Sequence, residues 1–437
     1  MGNAEKLRQL INSKKSRITV IGLGYVGLPI ALAFIKKGFF VYGLDNNTRR
    51  IDNLKKGVSY ITDIPDKDIS VSLKTGRFIP TSKEDILKFS DVVIICVPTP
   101  LRKTKLPDVS YIVDATRHVA GYLHPGQLVI LESTTYPGTT RDVMQPILER
   151  KKLKEGRDFF LAFSPERIDP GNKKYTLENI PKVVGGVSEV SGTLTGLLYS
   201  KIIRQIHKVS TVEAAEVVKL LENTFRIVNL GLINEFAILC DKLKINVWEV
   251  VEAAKTKPFG FMPFYPGPGI GGHCIPVDPL YLSWKAKKIG FKTRMIDLAS
   301  RINLFRPYYT AQKAQKVLRA ECINISRAKV LILGVTYKKD VKDLRESPAL
   351  EIINILQEKK AIVDYYDPYI PYLKINSINL KSIKLNAANL KKYNLVILVT
   401  DHSGFNYKFI SEHASMVLDT RNAFGSRRIR QSSIISL

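Results

Sequence analysis

The amino-acid sequence predicts an α/β fold in which two doubly wound parallel-sheet domains are joined by a helical middle domain with one long helix. Short apolar, β-branched runs alternate with helical patterns in the first part of the chain, which is typical of a parallel sheet covered on both faces. A long proline-free stretch of helical periodicity follows, and the alternation restarts near Lys329. We therefore expect three domains, over residues 1–210, 211–315 and 316–437.

Size and composition limit the possible classes of protein. The chain has 437 residues, of which 45% are hydrophobic and 24% charged, as in globular proteins. No run of about 18 apolar residues lacks a charge, and the N-terminus lacks the apolar core of a signal peptide, so we expect a cytoplasmic protein with no membrane partner. The net charge is +27, but the lysines are scattered along the chain. Nucleic acid is therefore not expected as a partner.

The first domain opens with a strand, a glycine turn, a helix and a second strand over residues 17–45. The turn reads GLGYVG and places Gly22, Gly24 and Gly27 where a dinucleotide-binding turn needs them. Asp45 ends the second strand, where a carboxylate accepts hydrogen bonds from an adenosine ribose and repels a 2′-phosphate. The pattern predicts a Rossmann-like domain that binds NAD, although the nearby Arg49 and Arg50 weaken the preference over NADP slightly. Further strands are predicted at 91–98, 127–134 and 159–166.

Polar residues follow two of these strands, at the edge where open α/β sheets bind ligands. Thr134 and Thr135 lie at the tip of one strand, and Glu166 and Arg167 follow the end of another at Ser164. An ordinary capped loop would explain each pair equally well.

The middle domain is predicted to begin with a helix over residues 211–243, and a second helix is predicted at 247–256. Lys219 and Asn223 are four residues apart, so they share one face of the long helix among apolar neighbours. The pair either faces a cleft or forms an ordinary solvated stripe.

Cys274 is the cysteine whose surroundings suggest chemistry. It lies in PGPGIGGHCIPVDP, where glycines free the backbone to wrap around a phosphate or an oxyanion, and Asp278 follows one turn later if the chain coils there. Cys96 and Cys240 lie in apolar runs and are expected in the core. No cysteine spacing predicts a disulfide or a metal site.

The last domain restarts the strand and helix alternation. We expect a helix at 347–360 and strands at 329–337, 361–368, 394–402 and 416–422.

Taken together, these motifs resemble the nucleotide-sugar dehydrogenase family, the UDP-glucose and UDP-N-acetylhexosamine 6-dehydrogenases. The likeness runs from about Arg17 to Asn422 and includes GLGYVGLP, STTYPGTT, SPER, EVVKLLENTFR, GPGIGGHCIPVDP, GVTYKKDVKDLRESPA and DTRN. It implies that residues 1–210 bind NAD, that 211–315 carry the cysteine loop and form a homodimer, and that 316–437 bind the UDP-sugar.

The resemblance also implies a four-electron oxidation of the sugar C6 alcohol to a carboxylate with two NAD. Cys274 would form a thiohemiacetal and then a thioester. Lys219 and Asn223 would stabilise the oxyanion, Asp278 would act with a water as general base, and Thr134 and Glu166 would serve the hydrolysis. The other residues expected to contact NAD are Tyr25, Val26, Arg50, Thr99, Thr134, Lys338 and Arg345. Those expected to contact the UDP-sugar are Arg167, Lys219, Asn223, Tyr265, Gly269, Gly271 and Arg421.

Two sequence differences from the UDP-glucose members of the family narrow the range of candidate substrates. Those members usually read like G-G-S-C-F-x-K-D, whereas this chain reads GGHCIPVDP and SPERIDPG, as in the N-acetylhexosamine branch. KPFGFMPFYPGPG looks most like UDP-N-acetylglucosamine members, and the resemblance to the family implies a role in capsule or surface-polysaccharide synthesis. UDP-N-acetylmannosamine, UDP-N-acetylgalactosamine and UDP-glucose remain alternatives, followed by a one-step sugar dehydrogenase and a non-catalytic nucleotide-binding protein.

Overall fold

The structure is a computed structural model that describes residues 1–61, 63–102, 104, 106–168, 175–375 and 377–437. The chain divides into two compact units. The first comprises Met1–Glu222 and Leu280–Phe291, and the second comprises Asn223–Pro279 and Lys292–Leu437.

An eight-stranded sheet forms the centre of the first unit, with the strand order β3-β2-β1-β4-β5-β6-β7-β8. Neighbouring strands are parallel except for β6 and β7, which pair antiparallel. Its strands are β1 Arg17–Ile21, β2 Phe40–Leu44, β3 Phe78–Thr81, β4 Val92–Ile95, β5 Leu128–Leu131, β6 Phe160–Phe163, β7 Lys182–Gly186 and β8 Ile206–Lys208.

Apolar clusters cover both faces of this sheet. Val92 and Ile94 of β4 belong to one cluster, whereas the alternate residues Val93 and Ile95 belong to another, and all four are fully buried. A strand buried on both faces explains why its sequence is a continuous apolar run. The helices that begin in this unit are α1 Asn3–Asn12, α2 Gly27–Lys36, α3 Thr48–Lys55, α4 Asp66–Lys74, α5 Ser110–Tyr122, α6 Gln145–Leu148, α7 Glu189–Tyr199 and α8 Val212–Leu243.

The second unit contains a five-stranded parallel sheet in the order β10-β9-β13-β14-β15 and an antiparallel pair, β11 and β12. Its strands are β9 Lys329–Leu333, β10 Ile362–Tyr366, β11 Tyr372–Ile375, β12 Ile378–Lys381, β13 Leu395–Leu398, β14 Val417–Asp419 and β15 Ile434–Ser436. The remaining helices are α9 Val247–Lys255, α10 Asp278–Lys288, α11 Arg294–Ala320, α12 Pro348–Glu358, α13 Ala387–Leu390 and α14 Tyr407–His413.

The predicted fold class is confirmed, with two doubly wound sheets and a 32-residue helix, α8. Helix α11, which has 27 residues and contains Pro307, was not predicted, because its internal proline interrupts a helical pattern in sequence. The expected domain boundaries at 210/211 and 315/316 stay predictions, and the second falls inside α11. None of the described helices is both long and apolar enough to cross a membrane.

Candidate active site

The glycine turn of the first unit lies between β1 and α2. Gly22 has a φ of +88°, and a Cβ there would lie 2.5 Å from the carbonyl oxygen of Cys96. A Cβ at Gly27 would lie 1.9 Å from the carbonyl oxygen of Gly22. The turn can therefore pack this closely against the start of α2 only because residue 27 has no side chain. A Cβ at Gly24 would meet no atom within 4 Å, which leaves its backbone open to a ligand.

Asp45 lies directly after β2 and is 5% exposed. Its Oδ2 accepts a hydrogen bond from the Leu23 N–H at 2.8 Å, and its Oδ1 accepts one from the Asn47 N–H at 2.8 Å. Arg50 Nη1 is 3.3 Å from Oδ2, and its guanidinium lies over the ring of Tyr60. Each carboxylate oxygen keeps acceptor capacity for a ribose hydroxyl.

These residues fit NAD. The open backbone at Gly24 stands at the start of α2, where N–H groups favour a pyrophosphate, and Asp45 follows the adjacent strand. Of the other predicted cofactor residues in this unit, Tyr25 is exposed within the turn, Val26 precedes α2, and Thr99 is buried four residues after β4.

The predicted residues after β5 and β6 have different environments. Thr134 is half-buried, whereas its neighbour Thr135 is buried and shares a hydrogen bond with Thr139 at 2.6 Å. Glu166 is buried, and its Oε1 accepts a hydrogen bond from the Ile168 N–H. The predicted segment SPERIDPG continues into residues 169–171, which lie outside the described residues.

Arg167 is engaged within the first unit. Its Nη2 is 2.7 Å from Glu222 Oε1, and its Nη1 donates to the carbonyl of Pro181 at 2.7 Å. These contacts tie the loop after β6 to α8, so the Arg167 side chain already has two partners before a substrate binds.

A buried ionic cluster, which we call the Lys182 cluster, was not found by sequence reasoning. It comprises Lys182, Glu132, Glu166 and Tyr199. Lys182 Nζ is 2.7 Å from Glu132 Oε2 and 3.9 Å from Glu166 Oε2, and the Tyr199 hydroxyl donates to Glu132 Oε1. Burial raises the pKa of Glu132 to about 7. Glu166 was predicted by itself, and Glu132 carries a similar sequence signal, as a carboxylate directly after a buried strand. Lys182 carries none, since it is one of 67 basic residues.

Glu216 on α8 was also missed. Its Oε2 accepts a hydrogen bond from the Gly138 N–H at 2.6 Å, and its Oε1 accepts from the N–H and hydroxyl of Thr140 at 2.9 and 2.7 Å. The carboxyl group therefore fixes the loop that follows Thr134 and leads into a π-helical turn at Thr139–Met144. Lys219, one turn further along α8, is half-buried.

In the second unit, Asn223 and Asp278 form a buried pair. Asn223 Nδ2 donates to Asp278 Oδ2 at 2.5 Å, and each residue is 2% exposed. The chain coils after the cysteine, because the Asp278 N–H donates to the carbonyl of Cys274 at 2.8 Å, and α10 begins at Asp278. Cys274 itself is exposed. The thiol thus lies at the accessible end of a short segment whose other end is fixed in the core.

The glycine loop before Cys274 packs against the segment 337–348. The Gly272 N–H donates to the carbonyl of Arg345 at 2.9 Å, and a Cβ at Gly271 would lie 2.6 Å from Tyr337 Cβ. Arg345 pairs with Asp343 at 2.6 Å, which raises the pKa of its guanidinium, and the Cys274 sulfur adds to this effect. A cation thus accompanies the cysteine loop. Lys338, also predicted to contact the cofactor, is half-buried in the same segment.

Arg421 and Arg306 flank the beginning of this loop. A Cβ at Gly267 would lie 2.7 Å from Arg421 Nη1, and Arg306 Nε donates to the Gly267 carbonyl at 2.8 Å. The Gly267 N–H donates to Asn234 Oδ1 at 3.0 Å, which fixes the loop on α8. Arg306 and Asn234 were not predicted, since nothing in sequence separates them from ordinary helix residues.

Two further predicted substrate residues lie at either end of that stretch. Gly269 has a φ of +147°, and a Cβ there would meet Pro348 and Pro307 at 3.0–3.2 Å. The ring of Tyr265 stacks on Trp248, and its hydroxyl donates to Glu252 at 2.7 Å.

Three features are typical of an NAD-dependent dehydrogenase with two doubly wound domains. They are a dinucleotide-binding turn on the first sheet, a second doubly wound sheet, and an exposed cysteine on a glycine loop. Three parts of the chain match the UDP-glucose/GDP-mannose dehydrogenase family: its NAD binding domain over 16–203, its central domain over 213–304 and its UDP binding domain over 331–426. The chain belongs to this family. It is therefore an oxidoreductase that uses NAD and acts on a nucleotide sugar, as the resemblance predicted.

Individual relatives differ in substrate. The chain is 38% identical to the UDP-N-acetyl-D-glucosamine 6-dehydrogenase of Pseudomonas aeruginosa, over 82% of this chain and 84% of that protein. It is 37% identical to the UDP-N-acetyl-D-mannosamine dehydrogenase of Pyrococcus horikoshii, over 93% and 95%. A solved structure of UDP-D-ManNAc dehydrogenase from Pyrococcus horikoshii superposes with a TM-score of 0.86 at 35% identity, covering 96% of this chain and 98% of that chain.

Proposed function

We propose that the protein oxidises the C6 alcohol of a UDP-N-acetylhexosamine to the uronic acid, with UDP-N-acetylglucosamine as its preferred substrate. The observation that carries the proposal is the Cys274 segment, in which an exposed thiol is one helical turn from Asp278, and Asp278 is held by Asn223 at 2.5 Å. A one-step alcohol dehydrogenase needs no nucleophile, whereas oxidation to the acid gains from a cysteine that holds the aldehyde.

Cys274 is proposed to hold the half-oxidised sugar as a covalent intermediate. The C6 alcohol first loses a hydride and its hydroxyl proton and becomes the aldehyde. The Cys274 thiolate adds to the aldehyde carbon and gives a thiohemiacetal, which loses a second hydride and a proton and becomes a thioester. Water then adds to the thioester carbonyl, the C–S bond breaks, and the carboxylate leaves with the thiolate restored. NAD, when bound, supplies the hydride acceptor in each of the two oxidations.

The other side chains have proposed roles that suit their chemistry. Lys219 and Asn223 stabilise the oxygen that gains negative charge at C6, and Asp278 acts with a water as general base. Thr134 and Glu166 act in the hydrolysis of the thioester. Arg345, beside the cysteine loop, is a cation that favours the thiolate.

Ligand contacts are proposed for the remaining predicted residues. The cofactor is assigned Gly22, Gly24, Tyr25, Val26, Gly27, Asp45, Arg50, Thr99, Thr134, Lys338 and Arg345. The substrate is assigned Arg167, Lys219, Asn223, Tyr265, Gly269, Gly271 and Arg421. The position of Arg421 against Gly267 supports a diphosphate site on the glycine loop, since a guanidinium binds phosphate oxygens well.

We also propose a homodimer in which a second copy of this chain covers an apolar stripe on α8. The stripe comprises Phe225, Leu232, Phe236, Leu239 and Leu243, which are 46–58% exposed. Their spacing of 7, 4, 3 and 4 residues places them on one helix face, as in helix-to-helix packing.

Reaction stoichiometry tests the proposed oxidation. Purified protein with excess NAD should release two NADH for each UDP-N-acetylglucosamine consumed, and Cys274→Ser should lose the overall oxidation. A yield of one NADH with an aldehyde or ketone product would reject the mechanism. Cys322→Ser, at another exposed cysteine, is the matched control and should turn over as the wild type does.

UDP-N-acetylmannosamine is the second candidate substrate, because the Pyrococcus horikoshii relative covers more of the chain at nearly equal identity. Comparing kcat/KM for the gluco, manno and galacto epimers and UDP-glucose decides among them. A preference of at least about tenfold, or about 1.4 kcal/mol, for the manno epimer would replace the first assignment.

A further inference from the structure

The side chain of Lys182 is held in one position by its contacts with neighbouring buried groups. Its Nζ donates to Glu132 Oε2 at 2.7 Å and to the Pro165 carbonyl at 3.2 Å, and it lies 5.1 Å from the centre of the Tyr199 ring. Its side chain is 4% exposed. The ammonium group is therefore a fixed buried charge immediately beside the loop that carries Glu166.

In this arrangement one carboxylate oxygen of Glu166 can still accept a hydrogen bond. Its Oε1 accepts the Ile168 N–H, whereas its buried Oε2 has no hydrogen-bond partner among the described residues. Lys182 Nζ, 3.9 Å away, forms an ion pair with that oxygen. Buried carboxylate oxygens are normally hydrogen-bonded, so an open one beside a fixed cation is typical of a functional group.

Two carboxyl groups compete for this one ammonium group. Of the titratable groups that face Glu132 and Lys182, Cys96 and Tyr199 stay neutral, because burial raises the pKa of both well above its ordinary value. Glu132, Glu166 and Lys182 then carry a net charge of −1 when both carboxyl groups are ionised. Burial raises the pKa of Glu132 to about 7, so this group changes charge near neutral pH.

We propose that Lys182 is a positioning residue that orients Glu166 for thioester hydrolysis, and that Glu132 sets the strength of this effect by competing for the same ammonium group. The inference rests on the role of Glu166 in the proposed function. When Glu132 is protonated, Lys182 pairs mainly with Glu166. When Glu132 is ionised, the ammonium group is shared: it hydrogen-bonds Glu132 at 2.7 Å and still fixes Glu166 from 3.9 Å, so Glu166 Oε2 stays in place and is left to accept a hydrogen bond from water.

The proposal predicts a specific kinetic change in Lys182→Met. We expect the covalent acyl adduct on Cys274 to accumulate, as seen by intact-protein mass spectrometry after acid quenching, and kcat to fall about tenfold or more. The KM for UDP-sugar should change little, since the Lys182 side chain is buried and only 4% exposed. Lys182→Arg keeps the charge and should recover part of kcat. Lys208→Met, at an exposed lysine paired with Glu189 in the same unit, is the matched control.

Glu132→Gln gives a second, independent readout. In the wild type the hydrolysis rate should rise through about pH 7 as Glu132 ionises, and in the variant this rise should be absent. A merely structural role for Glu132 would lower the rate or the melting temperature without removing the inflection. If Lys182→Met fails to fold, the pH profile of Glu132→Gln decides.

The wild-type controls separate this inference from the proposed function. A wild type that gives one NADH for each sugar, or no adduct on Cys274, would reject the proposed function. A wild type that gives two NADH, with variants that show neither adduct accumulation nor a changed pH profile, would overturn the role of Lys182 alone.

Discussion

The fold itself orients the carboxylate of Asp45, the residue proposed to bind the adenosine ribose. Two backbone N–H groups, from Leu23 and Asn47, already orient its carboxylate at 2.8 Å. Arg50 pairs with the same group from a half-exposed position, which explains how a basic residue can lie near it while the carboxylate still disfavours a 2′-phosphate. For this residue the sequence motif and the structure agree on where the carboxylate lies, directly after the second strand.

Replacing Asp45 with Asn should weaken NAD binding. The amide keeps the shape but loses the charge, and its NH₂ group opposes one of the two N–H donors. We expect the KM for NAD to rise about tenfold, equivalent to about 1.4 kcal/mol, and the ratio of NADP to NAD activity to increase. Steady-state kinetics with both cofactors measure this. Asp52→Asn, at an exposed position on α3, should leave both values unchanged, and equal losses with NAD and NADP would contradict the ribose assignment.

Helix α8 is the element that organises most of the proposed chemistry. Glu216, Lys219 and Asn223 are three and four residues apart, so they lie on one helix face. Glu216 anchors the loop at Gly138 and Thr140, and Asn223 holds Asp278.

The buried carboxyl group of Glu216, which holds the loop at Gly138 and Thr140, predicts an unusual pH dependence of stability. Burial raises the pKa of Glu216 from 4.5 to about 7, although its hydrogen bonds to Thr140 and Gly138 oppose this. The folded state thus binds a proton that the unfolded chain loses, so this stabilisation is complete below about pH 4.5 and is lost as the pH rises to about 7. The stability advantage of the wild type over Glu216→Gln should shrink by about 2.5 kcal/mol between pH 5 and 8, as measured by denaturant unfolding.

Glu213→Gln is the matched control with the opposite sign. Partial burial is the largest single effect on Glu213 and opposes its ionisation, but the hydrogen bond from Arg141, a backbone hydrogen bond and the charge of Arg141 together outweigh it and lower the pKa. Its stabilisation is therefore present above the unfolded pKa and lost in acid. The same trend with pH in both variants would rule out the assignment for Glu216.

For the whole molecule, the apolar stripe on α8 and the net charge of +27 act in opposite directions on self-association. The charge favours separate chains through repulsion, whereas burial of five large apolar side chains favours a dimer. Since repulsion between distant surface charges is screened by salt and the hydrophobic contribution is not, we expect the apolar contribution to dominate at physiological ionic strength.

Phe236→Glu should convert a dimer to a monomer, because it places a charge at the centre of the stripe. Light scattering coupled to size-exclusion chromatography would show the mass fall from two chains to one. Val71→Glu, which adds the same charge at an exposed apolar residue of α4, should not change the mass. A wild type that is already monomeric at micromolar concentration would disprove the dimer.

The sequence by itself determined the fold class, the family, NAD as cofactor and the cysteine segment. These features depend on local patterns: buried strands are continuous apolar runs, and turns such as that at Gly22 need glycine for reasons of backbone geometry. The tertiary structure alone decided which side chains meet across long separations. Lys182 and Glu132 are 50 residues apart, and Glu216 and Gly138 are 78 apart. Folding brings such pairs together in a low-dielectric interior, and no local pattern records which of 67 basic residues will be buried there.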